Sequence, residues 1–183
     1  MSFVFWLVNL VASILGCVLI LRAYLWSLAI SPRDPMVRFA WKLTDWLVNP
    51  ISYIIRPRGN WEWASHKSAL LVAVVVTLLA HEVTGFPATG LAFAIAPVAL
   101  VLRWATDLIT WGLIFYCVMS FVANPFSPYY ALLATLMEPF LRPLRRFIPN
   151  IGRLDLTPIV LFIVLSALQG FLIVPASTGL LVL

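Results

Sequence analysis

Along this chain, long apolar stretches alternate with two segments that are polar and basic. Apolar runs cover residues 3–26, 68–85, 98–122 and 158–174. A hydrocarbon core about 30 Å thick takes roughly 20 apolar residues per helical crossing, so the pattern predicts four transmembrane helices. The second run is short, but Lys67 opens it and its stem can snorkel. Pro97 precedes the third at a good helix start. Residues 86–97 are apolar yet too few to cross; they either extend a neighbouring helix or lie in the interface.

The polar segments have a periodicity of their own. Arg38, Lys42, Asp45, Asn49 and Ser52 recur at spacings of four and three, one face of a helix. Phe39, Trp41, Leu43, Trp46 and Leu47 cover much of the remainder, and Pro50 interrupts the hydrogen bonding. Shifting the chain by 93 residues aligns Ser31-Pro32-Arg33-Asp34-Pro35 with Asn124-Pro125-Phe126-Ser127-Pro128. The shift also places Asp45 on Glu138, Pro50 on Pro143, Gly59 on Gly152 and Glu62 on Asp155. The stripe then reads Ala131, Thr135, Glu138, Arg142 and Arg145, broken by Pro139 and Pro143. Both segments are expected to lie along the inner membrane surface, aromatics in the acyl boundary and cations on anionic headgroups.

The predicted fold class is thus an all-α membrane protein, with four transmembrane helices arranged as two helix–basic amphipathic loop–helix repeats. The first repeat spans 1–85, the apolar connection 86–97 and the second repeat 98–183. Each unit crosses twice, so the copies are parallel, which excludes an inverted repeat.

Composition agrees: of 183 residues, 63% are hydrophobic and only 10% charged, against about a quarter in a soluble domain. The net charge of +5 could suggest nucleic acid, but its placement argues against that partner. Six of the twelve Lys and Arg lie from Arg33 to Lys67 and four from Arg142 to Arg153. The positive-inside rule puts both loops in the cytoplasm and both termini outside. Trp6 and Trp104 are expected at the outer interface and Trp26 at the inner one. Cys17 and Cys117 sit in apolar runs, which argues against a disulfide framework.

Ionisable residues inside spans are costly and therefore functional candidates. Arg103 and Asp107 are one helical turn apart and can pair. A self-neutralised pair that aids packing is one reading, a proton or ion site the other. Arg22 precedes Trp26 by a turn and is expected to snorkel to the cytoplasmic headgroups. His81-Glu82 lacks the second histidine of a zinc-protease helix. The sequence contains no phosphate-gripping glycine loop, no Cys/His metal spacing and no nucleophile with a credible base. No catalytic residue, metal site or cofactor is predicted, and the chain is expected not to be an enzyme.

The second loop reads Glu138-Pro139-Phe140-Leu141-Arg142-Pro143-Leu144-Arg145-Arg146-Phe147-Ile148-Pro149, followed by Gly152, Asp155 and Pro158. With Asn124-Pro125-Phe126-Ser127 and the two-copy layout, it resembles the YggT family of small bacterial and plastid membrane proteins. The first copy departs from that pattern, with Trp46 opposite Pro139 and Ser52-Tyr53 opposite Arg145-Arg146. The resemblance implies an inner-membrane protein associated with osmotic stress tolerance, some relatives being linked to cell division or to assembly of cofactor-bearing complexes. It carries no catalytic residues.

Two functions follow as expectations. One is a non-catalytic scaffold or assembly factor with a membrane-protein partner or a homo-oligomer. Its candidate lipid or partner surface is Arg38, Lys42, Asp45, Glu138, Arg142, Arg145, Arg146 and Asp155. The other is an oligomeric channel or transporter for osmotic adjustment, using Arg103 and Asp107.

Overall fold

In the computed structural model, residues 3–54, 63–84, 90–122, 127–146 and 155–177 are described. They form six helices: α1 (Phe3–Ser27), α2 (Pro35–Ile54), α3 (Trp63–Thr84), α4 (Gly90–Val122), α5 (Pro128–Arg145) and α6 (Thr157–Ser177). No strand occurs among the described residues. Among the described residues three stretches are long and apolar enough to cross a membrane: Trp6–Ser27, Trp63–Glu82 and Ala94–Ser120. In α6 the apolar stretch Thr157–Phe171 is shorter.

Two helix boundaries recur at the 93-residue offset. Pro128 opens α5 as Pro35 opens α2, 93 residues earlier, and α6 ends at Ser177, 93 residues after α3 ends at Thr84. Proline suits the first helical position because its missing N–H is unneeded there. Asp34 precedes Pro35 and accepts the Met36 N–H on its carboxylate at 2.8 Å, satisfying a donor the helix leaves orphaned. The repeat positions Gly59, Glu62 and Gly152 lie outside the described residues.

α4 corrects the expected start of the third span. It begins at Gly90, so part of 86–97 extends this helix, and Pro97 sits in its interior. Proline lacks an N–H and kinks a helix without being bound to end it. α3 likewise begins earlier than the apolar run alone implied, at Trp63, because Ser65 and Ser68 are fully buried. Ser68 donates back to the Ala64 carbonyl at 2.7 Å, which lets a polar side chain sit inside the helix bundle.

By contact the chain divides into two compact units, one built on residues up to Ala105 and the other on Thr106–Phe171. In the first unit, Ala12, Ala73, Val76, Leu100 and Trp104 form one core, and Leu19, Val48, Ala64 and Ala69 a second. Small residues here allow close approach, the means by which helices associate in lipid, where apolarity alone gives no drive. Trp104, expected at the outer interface, is instead 1% exposed. Its ring occupies the place a Cβ on Gly16 would take. Its indole N–H donates to Ser13 Oγ at 3.3 Å, so the polar end is satisfied without water.

The α1–α2 turn holds Ala29 at φ 52°. The Ile30 N–H bonds the Leu25 carbonyl and the Ala29 N–H the Trp26 carbonyl, the paired bonds of a Schellman cap. Glycine is the usual residue at that left-handed position.

Candidate functional site

At 3.6 residues per turn, α2 sorts its side chains onto three faces. Val37, Ala40, Thr44 and Val48 are buried. Phe39, Leu43 and Trp46 form an exposed apolar face. Arg38, Lys42 and Asn49 are exposed on the third, and Asp45 lies half-buried beside them. The helix is therefore docked on one side, apolar on another and charged on the last, the layout of an interfacial helix.

Arg22 does not extend to the headgroups as expected. Its side chain is 9% exposed, and Nη1 donates to Asp45 Oδ1 at 2.6 Å and to Thr44 Oγ1 at 3.0 Å. The Thr44 hydroxyl spends its own proton on the Ala40 carbonyl at 2.7 Å, leaving its oxygen to accept. The guanidinium also lies over the Trp41 ring, 5.7 Å from the centroid. Thr44 and Asp45 reach Arg22 before the headgroups do, and a charge-assisted pair compensates burial of the cation. Thr44 and Trp41 escape a search for polar stripes because each sits on the docked side.

Near α5, Arg145 has the same office but comes from the amphipathic helix itself. It donates through Nη1 to Glu138 Oε2 and through Nε to Asp155 Oδ2, both at 3.0 Å. It also lies near enough to the Tyr116 hydroxyl of α4 to interact with it electrostatically, and Tyr116 stacks on Tyr130 of α5 at 5.7 Å. Asp155 in turn accepts the backbone N–H of Thr157 at 3.0 Å, at the positive end of α6. Burial alone would raise the Asp155 carboxyl, but bonds from Thr157 and Arg145 outweigh it and hold the group below the usual carboxylate range. For Arg145, burial works against the charged form, while Tyr116 and Asp155 outweigh it and push the pKa up. Arg145 thus ties α4, α5 and α6 together.

The sequence-predicted surface accordingly separates into two sets. Asp45, Glu138, Arg145 and Asp155 are held in ion pairs within the chain, Glu138 while still exposed, whereas the exposed Arg38, Lys42, Arg142 and Arg146 lie outside those pairs. The side chain of Ser52 lies outside the described residues.

Within α4, Arg103 and Asp107 are both half-buried. Asp107 Oδ1 accepts a hydrogen bond from Gln169 Nε2 of α6 at 2.8 Å. The same amide nitrogen lies 3.4 Å from Thr110 Oγ1. Gln169 was not singled out from the sequence, although an amide in the apolar run 158–174 is the signal that marks it. No cluster of His, Cys, Asp and Glu suited to a metal occurs among the described residues.

The family model described as CCB3/YggT matches the chain in two segments, residues 1–84 and 95–176. The uncharacterized protein YggT of Escherichia coli is 29% identical over 174 residues, covering 94% of this chain and 91% of that protein. An uncharacterized protein of Haemophilus influenzae is 32% identical over 162 residues, 85% of this chain and 83% of its own length. An uncharacterized protein in the proC 3' region of Vibrio alginolyticus is 31% identical over 148 residues, 80% of each chain. No solved structure matches. With the family model matched over both halves and relatives aligned along most of their length, the chain belongs to the CCB3/YggT family.

Proposed function

We propose that the protein is a non-catalytic scaffold or assembly factor of the bacterial inner membrane, associated through its family with tolerance of osmotic stress. In this reading α6 is the fourth span, and the halves are two parallel copies of one helix–amphipathic helix–helix unit. Both termini face outward, and α2 and α5 lie on the cytoplasmic face against anionic headgroups and a membrane-protein partner.

One observation carries the reading. In each half an arginine clamps the acid of the amphipathic helix, Asp45 or Glu138, 93 residues apart. Two cations per helix remain exposed, Arg38 and Lys42 on α2, Arg142 on α5 with Arg146 next to its end. A clamped helix presents its cations in a fixed array, which lowers the ordering entropy that binding has to overcome. Crosslinking in intact cells, followed by purification in mild detergent, is expected to recover a stoichiometric membrane partner. The Arg142→Glu, Arg146→Glu variant should recover several-fold less. Recovery of the protein alone would defeat the proposal.

A second reading, an oligomeric ion channel or transporter, draws support from the contact between Asp107 and Gln169 inside the apolar region. Arg103, one turn away, either pairs with Asp107 to favour packing or balances its charge along a pathway. Ion flux into proteoliposomes should then fall when Asp107 is changed to Asn; unaltered flux sinks this version.

A further inference from the structure

An apolar groove of about 440 Å³ runs between α1 and α3 in the first unit. Leu7, Val11 and Leu15 line one wall, Leu71, Val75 and Leu79 the other, and Trp46 of α2 closes one end. From Leu7 to Leu15 a helix rises about 12 Å, which gives the track its length. Its walls are apolar, the surface against which a hydrocarbon chain packs.

The two ends of the groove differ chemically. Leu71 and Trp46 mark one end, and Lys67 lies a single turn before Leu71, exposed. Side chains at i and i+4 are neighbours on a helix, and they lean toward its N-terminus. Lys67 therefore shares the face of Leu71 one turn nearer the helix start, from where its flexible stem can carry the ammonium to a lipid phosphate at the head of the track. Lining at every other position is apolar, so nothing along the track competes for a polar ligand.

We infer that this groove is a binding site for one anionic phospholipid, with an acyl chain laid between α1 and α3 and the headgroup phosphate on Lys67. The site is independent of the partner-binding role of α5. A seated chain completes the packing of α1, α3 and Trp46, and holds α2 at the membrane surface.

The full-length protein would be purified from nanodiscs of phosphatidylglycerol and phosphatidylcholine in equal amounts, and lipid retention read by native mass spectrometry. One retained phosphatidylglycerol per chain is expected. Val75→Trp, which fills the groove from α3, and Val11→Trp, which fills it from α1, should each lower retention at least tenfold while the melting profile stays cooperative. Lys67→Glu should abolish the preference for phosphatidylglycerol. Retention unchanged in both tryptophan variants would overturn the inference, as would equal retention of the two lipids by the unaltered protein. A chain dimer that both tryptophan variants dissolve would overturn it too, assigning the groove to a second copy.

Discussion

Arg22 lies 23 residues before the carboxylate that neutralises it. Asp45 is half-exposed and can fall back on water, but Arg22 cannot. The two single removals are therefore unequal. Arg22→Met should cost about 1–2 kcal/mol, below the roughly 3–5 kcal/mol of a fully buried pair, because the stranded Asp45 hydrates. Asp45→Asn, which leaves the buried cation without its partner charge, should cost more. Thermal unfolding in detergent measures both, and the double variant should recover part of the loss. At Gly16 the obstacle is the rigid ring of Trp104, so Gly16→Ala should destabilise by about 1–3 kcal/mol. At Gly112 a Cβ meets only the flexible tip of Met137, so Gly112→Ala should lower the melting temperature far less. Ala29→Gly should raise stability by about 1 kcal/mol, since it relieves a left-handed residue at the Schellman cap.

Among the elements, α2 is legible in the sequence. Arg38, Lys42, Asp45 and Asn49 mark a helical period, and Asp34-Pro35 marks its start. Hidden from the sequence was which apolar face meets protein. Val37 and Val48 are buried while Phe39 and Trp46 are exposed, yet all are apolar, and lipid tails are as apolar as leucine. The same ambiguity concealed Trp104, which reads as an interface anchor until Gly16 is seen opposite it. Pro97 misled about α4 because proline both starts helices and kinks them. The junction of α5 with α6 allows a pH prediction. The folded pKa of Asp155 lies below its ordinary value of about 4, so its contribution is present above that value. It is lost as pH falls through the lower, folded value. Protection of the amides at the start of α6, measured relative to their intrinsic exchange at each pH, should thus fall as pH drops below about 4. Asp155→Asn should remove that acid dependence and leave exchange in α1 unchanged.

At the scale of the whole molecule, apolar runs and the 93-residue offset were enough to anticipate an all-helical chain with helix boundaries recurring at that offset. Contacts distant in sequence, such as Asp107 with Gln169, 62 residues apart, were not. A polar residue in a span can equally bond its own helix, as Thr77 does to the Ala73 carbonyl, and one chain cannot say which outcome prevails. The offset sets Ile14 against Asp107 and Val76 against Gln169, so the first half holds apolar side chains where the second has built a polar contact. Asp107→Ile with Gln169→Val should therefore fold, with a melting temperature at or above that of the unaltered protein. If the single Asp107→Ile is much less stable than the double, the amide was relying on the carboxylate.

The offset also sets Leu19 against Gly112 and Thr44 against Met137. Bulk sits on the first helix in one half and on the amphipathic helix in the other, where Met137 closes over Gly112. The halves are thus keyed like locks cut to different profiles. A chimera carrying α5 in place of α2 would set methionine where threonine stands, with leucine rather than glycine at the matching position of α1, and should fold less well even though Glu138 still offers Arg22 a carboxylate. Exchanging α4 and α5 together for α1 and α2 keeps the sizes matched and should be tolerated better.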